Sequence, residues 1–97
     1  MTGNHTDILD ELFAVILDRK THPRPGSYTT HLLEQGEDEI LKKVGEEAME
    51  VLLAAKGQGD ARLISEIADL FYHTLVLLAS RGLTLDDVRK ELAGRRK

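Results

Sequence analysis

Two long stretches, Glu37 to Lys56 and Asp60 to Arg81, repeat their apolar residues at helical spacing and are separated only by Gly57-Gln58-Gly59. Helices joined by so short a turn fold back on one another as an antiparallel pair. The rest of a 97-residue chain must then be arranged around that hairpin. The first stretch opens with Glu37, Asp38 and Glu39 and closes on Lys56-Gly57, as the helix dipole and C-cap preferences require. Gly45 lies inside it at a cost of about 1 kcal/mol relative to Ala, which marks a close helix contact or a site needing room.

The remaining elements are short. Ile8, Leu9, Leu12, Phe13, Val15 and Ile16 recur at helical spacing behind Thr6 or Asp7 as N-cap. Thr21-His22-Pro23-Arg24-Pro25-Gly26 is the one clear break. Ser27 caps a short helix running through Glu34 and ended by Gly36. Asp60 is expected to cap the second long helix and Gly82 to stop it. Thr84 with Asp87 has the form of a capping box for a last helix, Leu85 to Ala93, ahead of a solvated tail, Arg95-Arg96-Lys97. No segment alternates with a period of two. The fold class is therefore all-α: a single domain over residues 1–97, a bundle of about four to five helices. Its four aromatic residues are Phe13, Tyr28, Phe71 and Tyr72. A core of Leu, Ile, Val and Ala in so small a chain leaves apolar helix surface for a second subunit.

Composition removes several classes of function. Thirteen Lys and Arg against seventeen Asp and Glu leave a net charge of −4, so there is no global field for nucleic acid. With no cysteine, disulfides, thiolate metal sites and thiol nucleophiles are excluded. Uninterrupted apolar runs fall short of the roughly 20 residues a bilayer span needs. Asp7, Asp10 and Glu11 stand where a signal peptide carries positive and then apolar residues. A cytoplasmic protein without membrane or nucleic-acid partners is expected.

The informative feature is where the acids fall. With Glu47 at zero on a helical wheel, Glu50 lies at about 300°, Lys43 at about 320° and Glu46 at about 260°, beside a wide apolar arc. With Glu66 at zero, Asp69 lies at about 300°, Arg62 at about 320° and His73 at about 340°. Both helices thus carry a thin polar line on an otherwise apolar surface. A helix that is apolar nearly all round is buried, and carboxylates on it need compensation. An antiparallel pair brings Glu46, Glu47 and Glu50 opposite Glu66 and Asp69. Like charges so close raise one another's pKa, and a hard divalent cation removes the conflict. Oxygen-only ligands suit Mg²⁺ or Mn²⁺, which keep positions for water and phosphate. Lys42, Lys43, Lys56 and Arg62 are near enough in sequence to reach phosphate oxygens, and Lys43, lying on the acid line, is the better placed of the first two. The competing reading is a wet face on which Glu46, Glu47 and Glu50 pair with Lys42 and Lys43.

The spacing Glu46-Glu47-x-x-Glu50, fifteen intervening residues, then Glu66-x-x-Asp69 resembles the signature of the all-α nucleotide pyrophosphohydrolases, the MazG-like superfamily. Within it the match is to the phosphoribosyl-ATP pyrophosphatase family of histidine biosynthesis. Gly26-Ser27-Tyr28-Thr29, Leu32-Leu33, the block Ile40 to Ala48, Glu50-Val51, Ala54-Ala55-Lys56 and Glu66 to His73 carry it. The resemblance runs from about Ile8 to Leu92. It implies a Mg²⁺-dependent hydrolase that splits phosphoribosyl-ATP between the α and β phosphates, releasing phosphoribosyl-AMP and pyrophosphate. It implies Glu47, Glu50, Glu66 and Asp69 as metal ligands, with Glu46 a further ligand or the base for the attacking water. It also implies a homodimer, and a form separate from the cysteine-dependent cyclohydrolase domain to which some relatives are fused.

Other residues follow from local chemistry. His73, four residues after Asp69, is expected to orient its carboxylate from behind rather than bind metal. Tyr72 is read as core with its hydroxyl satisfied nearby. Ser27, Tyr28 and Thr29 read as a helix start, and substrate contact there rests on the resemblance. His5, His22 and His31 lack ligand spacing. The same acids would serve a housecleaning dUTP or NTP pyrophosphatase, and a helical dimerisation module is the non-enzymatic alternative. A di-iron bundle wants Glu-x-x-His pairs, and no Glu here has His three residues on.

Overall fold

A computed structural model describes residues 7–96. His5, the Thr6 alternative as N-cap, and Lys97 lie outside the described residues. Five helices follow one another: α1 (Ile8–Thr21), α2 (Tyr28–Gln35), α3 (Glu37–Gly57), α4 (Asp60–Ser80) and α5 (Leu85–Arg95). No strand occurs among the described residues.

The helix starts follow the local chemistry. Asp7 accepts the Asp10 N–H at 3.0 Å, and the Asp10 side chain takes the Asp7 N–H in return. Ser27 Oγ accepts the Thr30 N–H at 3.1 Å, opening α2. Thr84 and Asp87 form the expected capping box of α5, which continues two residues past Ala93 to Arg95. Asp60 is not a cap. Gly59 holds that position at φ 89°, as Gly36 does at φ 101° before α3. Both require the left-handed half of backbone space, open to glycine without strain. That turn lets α4 begin directly at Asp60.

α3 and α4 pack along their length as an antiparallel pair. The Arg81 guanidinium, just past the end of α4, clamps the Glu37 carboxylate at the start of α3 through bonds of 2.7 and 2.9 Å. α1 and α2 close one side. Phe13 and Ile16 of α1, Leu32 of α2, Ile40 of α3, and Leu75, Val76 and Ala79 of α4 form the core. Lys20 reaches from α1 to cap the Ala79 carbonyl at 2.7 Å. α5 packs Leu85 against this core, and its Arg89 bridges Asp10 of α1 at 2.8 Å and Asp86 at 2.8 Å.

Three sequence expectations need correction. Gly45 marks no close helix contact among the described residues: a Cβ there would find nothing within 4 Å, which leaves the other reading, a site needing room. The long helices are not buried all round. Leu41, Met49, Leu52, Leu53, Ile64 and Phe71 stay 43% to 68% exposed, because one side of the hairpin has no helix of this chain over it. And α4 does satisfy the length and composition of a membrane-crossing helix. Single polar residues interrupt its apolar runs without lowering its average much. In this fold Leu75, Val76 and Ala79 pack into the core, while Glu66 and Asp69 meet Glu47 of α3.

Candidate metal centre

The site is built where the two polar lines meet. Glu47 sits one face-turn from Lys43 on α3, and Glu66 and Asp69 sit three apart on α4, so each pair projects to one side of its helix. Packing brings one carboxylate oxygen from each of Glu47, Glu66 and Asp69 within 4.8 Å of the others. Glu66 is the deepest, its side chain 6% exposed, and Glu47 follows at 14%. Asp69 lies at the surface. Burial pushes the Glu66 carboxyl above its ordinary value. Arg62 opposes the rise, and Glu50, Asp69 and Glu47 add to it. An acid short of water and facing three others is poised for a cation.

Two cations edge the group. Arg62 Nε lies 2.9 Å from Glu66. Lys43 Nζ lies 3.4 Å from Glu46 and 3.8 Å from Glu47. Burial would lower the Lys43 pKa, but Tyr28, Glu46 and Glu47 more than offset this and keep it above its usual value, so the ammonium stays charged. Arg62 and Lys43 therefore already face the acids. Lys42 and Lys56 point into solvent and make no ion pair among the described residues.

The expected acids divide. Glu47, Glu66 and Asp69 converge. Glu50 is half-buried and close enough to raise Glu66, but stands outside the converging trio. Glu46 is exposed and engaged with Lys43. Spacing alone puts all three glutamates of α3 on one arc and does not rank them.

His73 is buried, yet it does not hold the Asp69 carboxylate as expected. Its Nδ1 lies 2.8 Å from the Asp69 main-chain carbonyl. A carbonyl only accepts, so Nδ1 carries the proton and Nε2 is left to accept the Tyr28 hydroxyl at 3.0 Å. The imidazole sits one helical turn beyond Asp69, within reach of the backbone there, whereas the carboxylate leans toward α3. Thr29 is buried and bonded through Oγ1 to the Tyr72 hydroxyl, which satisfies the Tyr72 expectation. Ser27 is engaged as a cap. Of the three residues after the Pro-Gly loop, only Tyr28 keeps an exposed ring, against Tyr72 with centroids 6.1 Å apart.

The sequence reading missed the concavity beside this network. Pro23, Arg24, Pro25, Gly26, Tyr28 and His31, all exposed, line an open surface concavity of about 690 Å³. It does not contain the acids but shares Tyr28 with them. The paired prolines were its only trace in the sequence.

Comparison with known proteins agrees with this architecture. The family model described as phosphoribosyl-ATP pyrophosphohydrolase matches residues 9–96. A protein named phosphoribosyl-ATP pyrophosphatase from Pelotomaculum thermopropionicum is 60% identical over 91 residues, covering 94% of this chain and 93% of that one. One of the same name from Clostridium botulinum is 51% identical, covering 97% and 86%. A histidine biosynthesis bifunctional protein from Thermoanaerobacter pseudethanolicus is 52% identical over 89 residues, covering 92% of this chain and 41% of its own length. A helical hairpin with facing acids, matched over nearly all its length, identifies the chain as a member of the phosphoribosyl-ATP pyrophosphohydrolase family.

Proposed function

We propose that this chain carries out its family's reaction, hydrolysis of phosphoribosyl-ATP to phosphoribosyl-AMP and pyrophosphate in histidine biosynthesis, with Mg²⁺ held between Glu47, Glu66 and Asp69 and approached by Glu50. The observation that carries this is the convergence of three carboxylates from two helices within 4.8 Å. The donor set fits the ion: all ligands are hard oxygens, and three of them leave positions for phosphate and water. Mn²⁺ fits the same set. When bound, the dication neutralises polyphosphate charge and acidifies water.

The side chains divide the remaining work. Glu66 and Glu47, largely shut off from solvent, hold charge where it attracts a cation most strongly. Lys43 and Arg62, already at the rim, turn from carboxylates to phosphate oxygens as the substrate's own charge arrives and hold the leaving pyrophosphate. Glu46, exposed and tied to Lys43, is the carboxylate we assign to take the proton of an attacking water. Lys42 and Lys56 are more remote supports for phosphate.

A pyrophosphate-release assay with and without Mg²⁺ tests this. Release from phosphoribosyl-ATP is expected to exceed that from ATP, dCTP and dUTP and to stop when the metal is chelated. Preference for an ordinary nucleotide, or turnover indifferent to chelation, would sink the reading.

We also propose a homodimer, in the cytoplasm where its substrate is soluble. The chain spans 40 × 39 × 21 Å with a radius of gyration of 14.8 Å, above the roughly 12.5 Å of a compact chain of this length. Six exposed large apolar residues, Leu41, Met49, Leu52, Leu53, Ile64 and Phe71, lie on α3 and α4. A second copy over the open side of the hairpin covers them. Sedimentation is expected to give two chains per particle, and Leu52→Asp with Phe71→Asp to lower this to one. A wild-type monomer at tens of micromolar would overturn the dimer.

A further inference from the structure

The open concavity at the α1–α2 connection has a loop wall whose backbone is fixed by local bonds. Pro23 and Pro25 lock φ along one wall, and Gly26 turns the chain at φ 85°. The Arg24 backbone is pinned in both directions: its N–H donates to Thr30 Oγ1 at 3.0 Å, and its carbonyl accepts the Ser27 N–H at 3.1 Å. Thr30 is itself buried. The Arg24 side chain, by contrast, has no carboxylate partner within ion-pair distance among the described residues, though Glu34 lines the same cavity. A rigid loop thus presents an uncommitted guanidinium to a space of about 690 Å³, within the roughly 300–1,000 Å³ typical of small-molecule sites. His31 lines it from α2.

The cavity is tied to the acids by hydrogen bonds. Tyr28 forms one wall, and its hydroxyl donates to His73. His73 in turn holds the main chain of Asp69. Tyr28 thus stands between the loop that carries Arg24 and the turn of α4 that carries Asp69.

We propose that this cavity receives the phosphoribosyl group that distinguishes phosphoribosyl-ATP from ATP, its terminal phosphate on the Arg24 guanidinium with His31 beside it and Tyr28 as the wall shared with the carboxylates. This rests on the function proposed above. A guanidinium suits the task because its planar fork meets a phosphate through two parallel bonds. Arg24 is then a specificity residue, remote from the bond that breaks.

The test compares ligands with and without that group. Calorimetric binding of phosphoribosyl-AMP and AMP to the metal-free protein is measured beside kcat/KM for phosphoribosyl-ATP and ATP. Wild type is expected to favour the phosphoribosyl compound in both. Arg24→Ala is expected to reduce its binding and kcat/KM about 10- to 100-fold, the worth of a charge-assisted contact, with the adenylates unchanged. Arg24→Lys is expected to recover part of the loss. Equal loss for the compounds with and without the phosphoribosyl group would place Arg24 on the adenylate part they share and overturn the proposal, as would no loss at all. If wild type binds phosphoribosyl-AMP selectively through Arg24 yet releases no pyrophosphate from phosphoribosyl-ATP, the proposed reaction fails and the cavity assignment stands.

Discussion

Glu66→Gln is expected to lower pyrophosphate release on the order of 10²- to 10³-fold, the scale of losing one preorganised electrostatic group, while the metal-free protein becomes more stable. The two effects have one cause. In the folded chain burial pushes the Glu66 carboxyl above its ordinary 4.5, with Arg62 pulling it back and Glu50, Asp69 and Glu47 adding to the rise. A raised carboxyl is a carboxyl whose charged form the fold disfavours. The resulting penalty is fully present above the folded pKa and vanishes as the pH falls below 4.5. Gln keeps the shape and removes the charge, so thermal unfolding without metal at neutral pH should occur at a higher temperature in the variant. The difference should fade toward pH 4. Mg²⁺ should raise the unfolding temperature of wild type by mass action and have little effect on the variant. Glu50→Gln, with its carboxylate outside the trio, is expected to lose most turnover and to gain less stability than Glu66→Gln, since it removes only one contribution to the Glu66 penalty. Wild-type turnover in Glu66→Gln, with an intact Mg²⁺ response, would remove Glu66 from the site.

Ile16→Ala should destabilise the fold by about 2–5 kcal/mol, the range for truncating a buried aliphatic side chain. Ile16 is fully buried in the cluster that joins α1 to Leu32, Ile40, Leu75 and Val76. Small domains are stable by only about 5–15 kcal/mol, so the variant should unfold at a visibly lower urea midpoint with the slope unchanged. Protein concentration must be held equal, because a dimer adds its own stabilisation. A loss under about 1 kcal/mol would mean that α1 contributes little to the core.

Much of the site was legible because helices are periodic. The line from Lys43 through Glu47 and the line from Arg62 through Glu66 to Asp69 follow from residues three and four apart sharing a face. The Gly57-Gln58-Gly59 turn then made their meeting predictable, and the Arg81–Glu37 clamp shows the antiparallel register. Other features had no local signal. Glu46, Glu47 and Glu50 share an arc, and their ranking depends on how far each reaches toward α4. His73 was read from its position next to Asp69 on the wheel, but its second partner, Tyr28, comes from 45 residues away. Gly45 offered two readings, a close contact or a site needing room, and no described residue packs there.

Helix limits, caps and polar lines rest on interactions spanning about four residues, and the order of side chains along the chain is enough to specify them. Which carboxylates meet, where the Arg24 loop lies against Tyr28, and how much of α3 and α4 stays uncovered are set by contacts between residues remote in sequence. Those contacts come from non-directional burial of apolar surface, which many arrangements satisfy about equally well until the whole core is packed, and so only the assembled bundle selects among them.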